Sequence, residues 1–258
     1  MKKIVRYAGL ILIIFLVTIF MVNAYNSNPG VILNRVFKNN GSSPKILTYR
    51  IYIFGLFPAG QAVFYDKEAQ KLNGRDVFHL KAEAGSLDLF SAFFKAEAIL
   101  DSFIDQADYK PVLFRQKIAI SDRPTQEKEV IYDQKQGTMT LNGVERQIMP
   151  DTYDPLSLMF DLKRRDFEKN KTIELGINTN QKNYVFKGSV EAKDMLIKGF
   201  KYKVYSGKAE IKRRDKNNPY HRSQVTMWLV KIGEENVPVL IRVFASGFIV
   251  QIRLVDAR

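Results

Sequence analysis

Apolar and polar positions alternate with a period of two over most of the chain after Pro44, the pattern of strands that bury one face. Leu47, Tyr49, Ile51 and Ile53 share one face, with Thr48, Arg50 and Tyr52 on the other, and Ala62–Tyr65 resumes the pattern after a Gly- and Pro-containing kink. Alternation returns at Val77–Ala84, Ala96–Ile104, Val112–Ile120, Val130–Tyr132 and Met139–Leu141. It recurs at Ile173–Ile177, Tyr184–Val190, Phe200–Tyr205, Val225–Ile232, Val237–Phe244 and Phe248–Leu254. Asn73-Gly74 and Asn142-Gly143 lie beside such runs, and Asn-Gly suits a tight type I′ hairpin turn. Many short strands separated by turn residues predict a mainly β chain. The expected form is a strongly curved antiparallel sheet, or a β-barrel-like single domain, over residues 46–258.

Two segments break the period. Asp154-Pro155-Leu156-Ser157-Leu158-Met159-Phe160-Asp161-Leu162 reads as a short helix, with Asp as N-cap, Pro at the first helical position and apolar residues four apart. Lys163, Arg164 and Arg165 close it, where cations suit the helix dipole. Leu87–Phe94 is a second helix candidate without a clear cap.

The N-terminus has a different pattern. Lys2, Lys3 and Arg6 precede an apolar run from Ala8 to Val22, and Val22 and Ala24 suit the −3 and −1 positions of a cleavage site. Residues 1–24 therefore read as a signal peptide, with a short membrane anchor through residues 8–22 as the alternative, because a spanning helix needs about 20 apolar residues. Export to a periplasm follows in either case. Tyr25–Lys45, rich in Asn, Ser, Gly and Pro, reads as a tether holding one apolar island at Val31–Phe37.

Composition narrows the chemistry. The 258 residues include no cysteine and two histidines. That removes a disulfide framework, a thiolate metal site, a cysteine nucleophile and a lipidated N-terminal cysteine, so the protein is not expected to be a lipoprotein. No metal site and no cofactor are expected, and no H-E-x-x-H, G-x-S-x-G, Walker or G-x-G-x-x-G motif occurs. His79, between Phe78 and Leu80, reads as a structural histidine; His221, in a polar turn, is the better enzymatic candidate. Acidic residues such as Asp101, Asp105 and Asp108 could form a pair for glycoside hydrolysis, but acids are too frequent there for the pairing to inform.

The formal charge of +13 is unevenly distributed. Tyr25–Phe160 carries 16 basic and 16 acidic residues, and Asp161–Arg258 carries 21 and 11. A one-sided excess of this kind suggests contact with an anionic surface. Lys163, Arg164, Arg165, Lys201, Lys203, Lys212, Arg213 and Arg214 are the candidate residues. Export redirects that expectation from nucleic acid to anionic lipid, lipopolysaccharide or glycan, with peripheral membrane contact. The aromatic clusters add a second expectation. Phe54, Phe57, Phe90, Phe93, Phe94 and Trp228 could line an apolar cavity inside a curved sheet.

Three stretches together resemble a known family. Leu47–Ala62 (LTYRIYIFGLFPAGQA), Tyr153-Asp154-Pro155-Leu156-Ser157, and Met227-Trp228-Leu229 followed by Val237-Pro238-Val239 and Ile241-Arg242-Val243 are similar, in order and spacing, to the exported bacterial domain-of-unknown-function family 3108. The resemblance covers about Ile46 to Val255 and departs at Val230-Lys231-Ile232, where the family carries Ser and acidic residues. It implies an exported, mainly β protein and brings no catalytic residues. The residues and the resemblance point to a non-enzymatic binding protein for a lipid-like or amphipathic anionic envelope component. An envelope assembly or scaffold protein is the second reading, and a hydrolase of envelope polymers using His221 is the third.

Overall fold

The computed structural model describes residues 28–36, 43–91, 94–179, 182–197, 199–214, 222–245 and 247–258. The leader or anchor read at residues 1–24 and the His221 turn lie outside them. In chain order the elements are α1 (Pro29–Val36), β1 (Ile46–Ile53), β2 (Phe57–Leu72), β3 (Arg75–Ser86), α2 (Asp88–Ser91), β4 (Ala96–Asp105), β5 (Pro111–Ile120), β6 (Arg123–Asp133), β7 (Thr138–Leu141) and β8 (Val144–Gln147). They continue with β9 (Thr152–Tyr153), α3 (Pro155–Arg164), β10 (Thr172–Thr179), β11 (Lys182–Ile197), β12 (Phe200–Arg213), β13 (Arg222–Ile232), β14 (Glu235–Ala245) and β15 (Phe248–Ala257).

All the strands belong to one sheet, running from β8 down to β1, then to β15 and down to β9. Only β9 and β10 pair in parallel. β8 and β9 are therefore consecutive in sequence yet occupy opposite edges, joined only by residues 148–151. That link can span about 17 Å at most, so the sheet must curl until its edges nearly meet. Two bonds bridge the gap. Asn183 Nδ2 of β11 donates to the Gln147 carbonyl at 3.1 Å, and Gln134 Nε2 donates to the Thr152 carbonyl at 2.9 Å. The sheet is barrel-like but not closed. Both Asn-Gly pairs take positive φ, at Asn73 and Gly74 and at Asn142 and Gly143, as a type I′ hairpin requires.

α3 fills the interior at one end of this curl. Leu156 and Phe160 project to one side, into a cluster with Leu80, Ile104, Phe114, Val130 and Met139. Leu158 and Leu162 project to the other, into a cluster with Leu175, Phe186, Val190, Met227 and Leu229. A helix apolar on two opposite sides suits only a site enclosed on both. Its first turn is set by Asp154, whose Oδ1 accepts from Leu156 N (2.8 Å) and Ser157 N (3.0 Å) while Oδ2 accepts from Ser102 Oγ (2.7 Å). Ser157 Oγ completes the box by accepting from Asp154 N at 2.9 Å.

The helix is also fastened by charge. Glu235 of β14 receives Lys163 Nζ of α3 at 3.0 Å and Lys67 Nζ of β2 at 3.2 Å. Burial alone would raise the Glu235 pKa, but the two lysines outweigh it and hold it below the usual glutamate value. A depressed acid contributes stability above its unfolded-state pKa and loses it as pH falls through the folded value. Glu235→Gln should therefore cost about 1–2 kcal/mol at neutral pH and lessen the acid sensitivity of unfolding, as read by urea titrations from pH 7 to pH 3. An unchanged acid limb would show that the network carries no stability.

Two expectations are corrected. The tether over residues 25–45 contains α1, whose Ile32 and Leu33 are buried against the sheet. An eight-residue helix is too short to stand in water, and its apolar island finds a partner instead. β2 runs on through Asp66–Leu72, and β11 extends from Lys182 to Ile197, well past the apolar stretches that announced them. The Asp66–Leu72 extension carries mostly polar residues on both faces, and Glu191–Asp194 separates the apolar end of β11, where Met195 meets the core, from its first apolar stretch, so periodicity does not mark either extension. Of the second helix candidate, Asp88–Ser91 forms α2, and residues 92–93 lie outside the described residues.

Candidate functional site

At the end of the curl away from α3, the concave face is open. Register places Tyr49 opposite Ala62, Ala62 opposite Ala84, Ala84 opposite Ala98 and Ala98 opposite Ile118 on this face. Two residues further along, Ile51 pairs with Gly60 and Ile252. Small side chains thus form the wall where the plugged end has Leu80, Phe114 and Phe160. At Gly60 a Cβ would come within 2.9 Å of the Gly85 carbonyl, so β2 and β3 approach too closely there for any larger residue.

The result is an apolar groove of about 380 Å³ lined by Ile51, Ile53, Ala84, Ala98, Ile118, Ile120 and Val250, with Glu97 as its one ionisable residue. The plugged end retains only about 40 Å³, between Tyr49, Phe64, Met159 and Phe160. The first volume falls within the range of small-molecule sites, and the second holds little more than water. Phe54, Phe57, Phe94 and Phe248 stand at the open rim, each about half exposed, with Phe54 and Phe248 ring centroids 5.6 Å apart. Exposed apolar side chains concentrated beside an apolar groove mark a contact surface.

Of the six aromatic residues expected to line a cavity, Phe94 lines the groove, and Phe54 and Phe57 lie at the β1–β2 end next to Ile53. Phe93 and the Phe90 side chain lie outside what is described. Trp228 does not join them. Its neighbour Met227 pairs with Ile241 on the groove face, so Trp228 points to the opposite face, where the Arg242 guanidinium lies 5.1 Å from its ring centroid. The sequence reading missed Phe248 and the small-residue wall. Their only trace is the alternation of Ala and Gly with polar residues in Ala82–Gly85 and Lys95–Ala98.

The candidate anion-contact residues prove largely engaged inside the protein. Lys163 is held by Glu235, and Arg165 Nη2 meets Asp161 Oδ2 at 2.6 Å. The Arg164 guanidinium lies 3.4 Å from the Tyr109 ring centroid. Lys201 pairs with Asp194 at 2.9 Å and Lys203 with Glu168 at 3.3 Å. Lys212 and Arg213 end β12, and the exposed Arg214 follows them, next to residues 215–221 that lie outside the description. Asp161 lies four residues before Arg165 on the same helix, whereas Glu168 and Glu235 reach their lysines across the fold. His79 Nε2 lies 2.8 Å from Asp101 Oδ1 and its ring stacks on Phe103, a satisfied structural arrangement. Among the described residues no group of acids and histidines is placed to hold a metal ion, and no helix is long and apolar enough to cross a membrane.

The sequence profile of the family described as "Protein of unknown function (DUF3108)" matches residues 48–247. The chain belongs to this family. Among solved structures, this DUF3108 member is similar to a beta-barrel-like protein of domain of unknown function DUF1849 from Brucella abortus, at 12% identity and TM-score 0.57, covering 84% of this chain and 98% of that one. At that identity the likeness concerns the fold alone. It is also matched to a "putative lipoprotein" from Parabacteroides distasonis, at 8% identity and TM-score 0.34, covering 86% and 99% of the two chains. A sequence search of curated proteins returns no match.

Proposed function

We propose that this DUF3108 protein is an exported binding protein that takes the apolar chain of a lipid-like envelope molecule into the open half of its curled sheet. The observation that carries this reading is the groove of about 380 Å³, walled by alanine, glycine and isoleucine and rimmed by half-exposed phenylalanines. Water in such a groove makes few hydrogen bonds, so an acyl chain that displaces it gains roughly 0.8 kcal/mol per buried methylene. The single carboxylate, Glu97, at the margin leaves room for a polar head to remain in solvent. The signal-like N-terminus supports an address in the envelope.

Filling the groove tests the reading. The protein should enhance the fluorescence of cis-parinaric acid, and Ala98→Phe should abolish that enhancement while leaving the unfolding midpoint within a few degrees, because Ala98 is only partly buried. Native mass spectrometry after detergent-free purification should show an adduct extractable as lipid. Equal fluorescence with wild type and Ala98→Phe, or an empty protein that ignores the probe, would remove the proposal. A stoichiometric protein partner with no small ligand would favour the scaffold reading instead.

A further inference from the structure

The β11–β12 hairpin reaches past its neighbours. β10 pairs with β11 only as far as Ser189, and the register of β12 with β13 ends at Val204, whereas β11 and β12 continue to pair from Glu191 with Ser206 to Ile197 with Phe200. The end of the hairpin is therefore a two-stranded ribbon, a form that is marginal by itself in water. α1 supports it on one side. Met195 packs against the cluster that holds Ile32, Leu33, Tyr202 and Val204, and a Cβ at Gly30 would come within 3.1 Å of Met195 Cε. Past this support the ribbon exposes apolar side chains. Leu196 is 76% exposed, the most of any large apolar side chain among the described residues, and Phe200 is 51% exposed. Alternation puts Phe200 on the face of Tyr202, and Leu196, next after Met195, on the other. A strand that serves only the core shows one apolar face, and this tip shows two.

The surroundings of the tip point to what covers it. Residues 193–203 carry four lysines and one aspartate. Lys193 is exposed, and so is the pair of Lys201 with Asp194, which water and salt therefore screen. The described chain also begins here. Asn28 caps α1, its Oδ1 accepting from Gly30 N at 2.8 Å, beside Met195. The apolar run Ala8–Val22 ends six residues before Asn28, a reach of about 20 Å at most. A bilayer that holds this run, as leader or as anchor, lies within reach of Leu196 and Phe200.

We infer that the β11–β12 tip is a membrane wedge that sets Leu196 and Phe200 among the acyl chains of an anionic phospholipid bilayer. A ribbon apolar on both faces suits a medium that surrounds it. Lys193 and Lys201 just behind the tip suit phosphate headgroups, whose attraction adds to the gain from burying apolar area. Two apolar side chains give reversible contact, far short of a spanning helix. The wedge lies at the other end of the strands from the groove's rim, since Lys212 pairs with Arg222, Ser223 with Ala245 and Ala245 with Phe248. It does not depend on the groove, which opens away from the bilayer the tip enters.

The chain has no cysteine, so a single introduced one reports its own surroundings. The test uses protein expressed from the full-length chain, in the form the cell exports, carrying Leu196→Cys labelled with the environment-sensitive dye NBD. Vesicles of phosphatidylglycerol and phosphatidylcholine should raise its fluorescence about threefold with a blue shift, and lipids brominated on their acyl chains should quench it. Phosphatidylcholine alone should give a several-fold smaller rise. The same label at Val144→Cys, exposed on β8, should not respond. Adding Phe200→Ser to the labelled protein should raise the vesicle concentration needed for half the response about tenfold. Its unfolding midpoint should stay within about 2 °C, because Phe200 is half exposed. No response at Leu196→Cys, an equal response at Val144→Cys, or a response unchanged by Phe200→Ser overturns the inference. A response at Phe248→Cys alone overturns it as well and sets the membrane at the groove's rim. A Leu196→Cys signal that rises with protein concentration in the absence of lipid overturns it in favour of a second copy of the chain. Binding of cis-parinaric acid is read separately, so the groove and the wedge can each fail alone.

Discussion

Asp154→Ala should destabilise the protein by about 3 kcal/mol, whereas Asp154→Asn should stay within about 1 kcal/mol of wild type, both read by urea unfolding at pH 7. Asp154 is wholly buried and its two oxygens accept three hydrogen bonds, from Leu156 N, Ser157 N and Ser102 Oγ. Alanine removes an N-cap, typically about 1 kcal/mol, and leaves the buried Ser102 hydroxyl and two backbone N–H groups without acceptors, at roughly 1–3 kcal/mol each before relaxation. Asparagine keeps the geometry. Its Oδ1 can accept both backbone N–H groups, as one carboxylate oxygen does now, while its amide donates to Ser102 Oγ.

The pH dependence separates charge from shape. Burial raises the Asp154 pKa, opposed by the bonds from Ser102, Ser157 and Leu156, and the net direction is upward. A raised acid favours the protonated form in the fold. Its contribution is therefore greatest below the unfolded aspartate pKa and is lost as pH rises through the folded value. The stability of wild type relative to Asp154→Asn should accordingly increase as pH falls through that window. A difference that stays level, or moves the other way, would show that the buried group carries no such strain. Glu235 works with the opposite sign, so the two variants should bend the acid limb in opposite directions.

Architecture was legible in the sequence wherever one face of a strand is buried. Period two located the core of most strands, Asn-Gly marked two hairpin turns, and Asp154-Pro155 marked the start of the helix. Each of these is a local constraint on the backbone. What was not legible depends on distant partners. The Val31–Val36 part of the apolar island becomes α1 only because β14 and β15 offer Ile32 and Leu33 a surface. Polar extensions such as Asp66–Leu72 are strands only because Arg75–Lys81 pairs with them. The groove escaped for a related reason. Clustered phenylalanines announce its rim, but its volume comes from Ala84, Gly85, Ala96 and Ala98, residues conspicuous only once the sheet curls and sets them opposite Ile51 and Val250. The pairing of the charges was hidden for the same reason, since a count along the chain cannot see that Glu235 and Glu168 reach across the fold to Lys163 and Lys203.

Phe160→Ala and Leu162→Ala should each cost about 3–4 kcal/mol, the usual loss when a fully packed large side chain leaves a cavity. Both side chains are buried, but they serve opposite walls. Phe160 meets Phe78 at 5.9 Å and Tyr109 at 6.2 Å between ring centroids, while Leu162 packs among the residues of β10 to β13. With no shared partners the two losses should add to within about half a kcal/mol. Their sum approaches the whole stability of an ordinary domain, about 5–15 kcal/mol, so the double variant should fail to show a cooperative transition at 25 °C. Met159→Ala is the control, because Met159 borders the 40 Å³ cavity and is only partly buried; it should cost no more than about 1 kcal/mol. If α3 were instead a removable lid, Phe160→Ala would be nearly neutral and would admit ligand at that end of the curl. A large, additive loss with cis-parinaric acid binding by the folded single variants unchanged would show that the two ends are distinct: one closed by a helix the fold requires, the other left open by small residues.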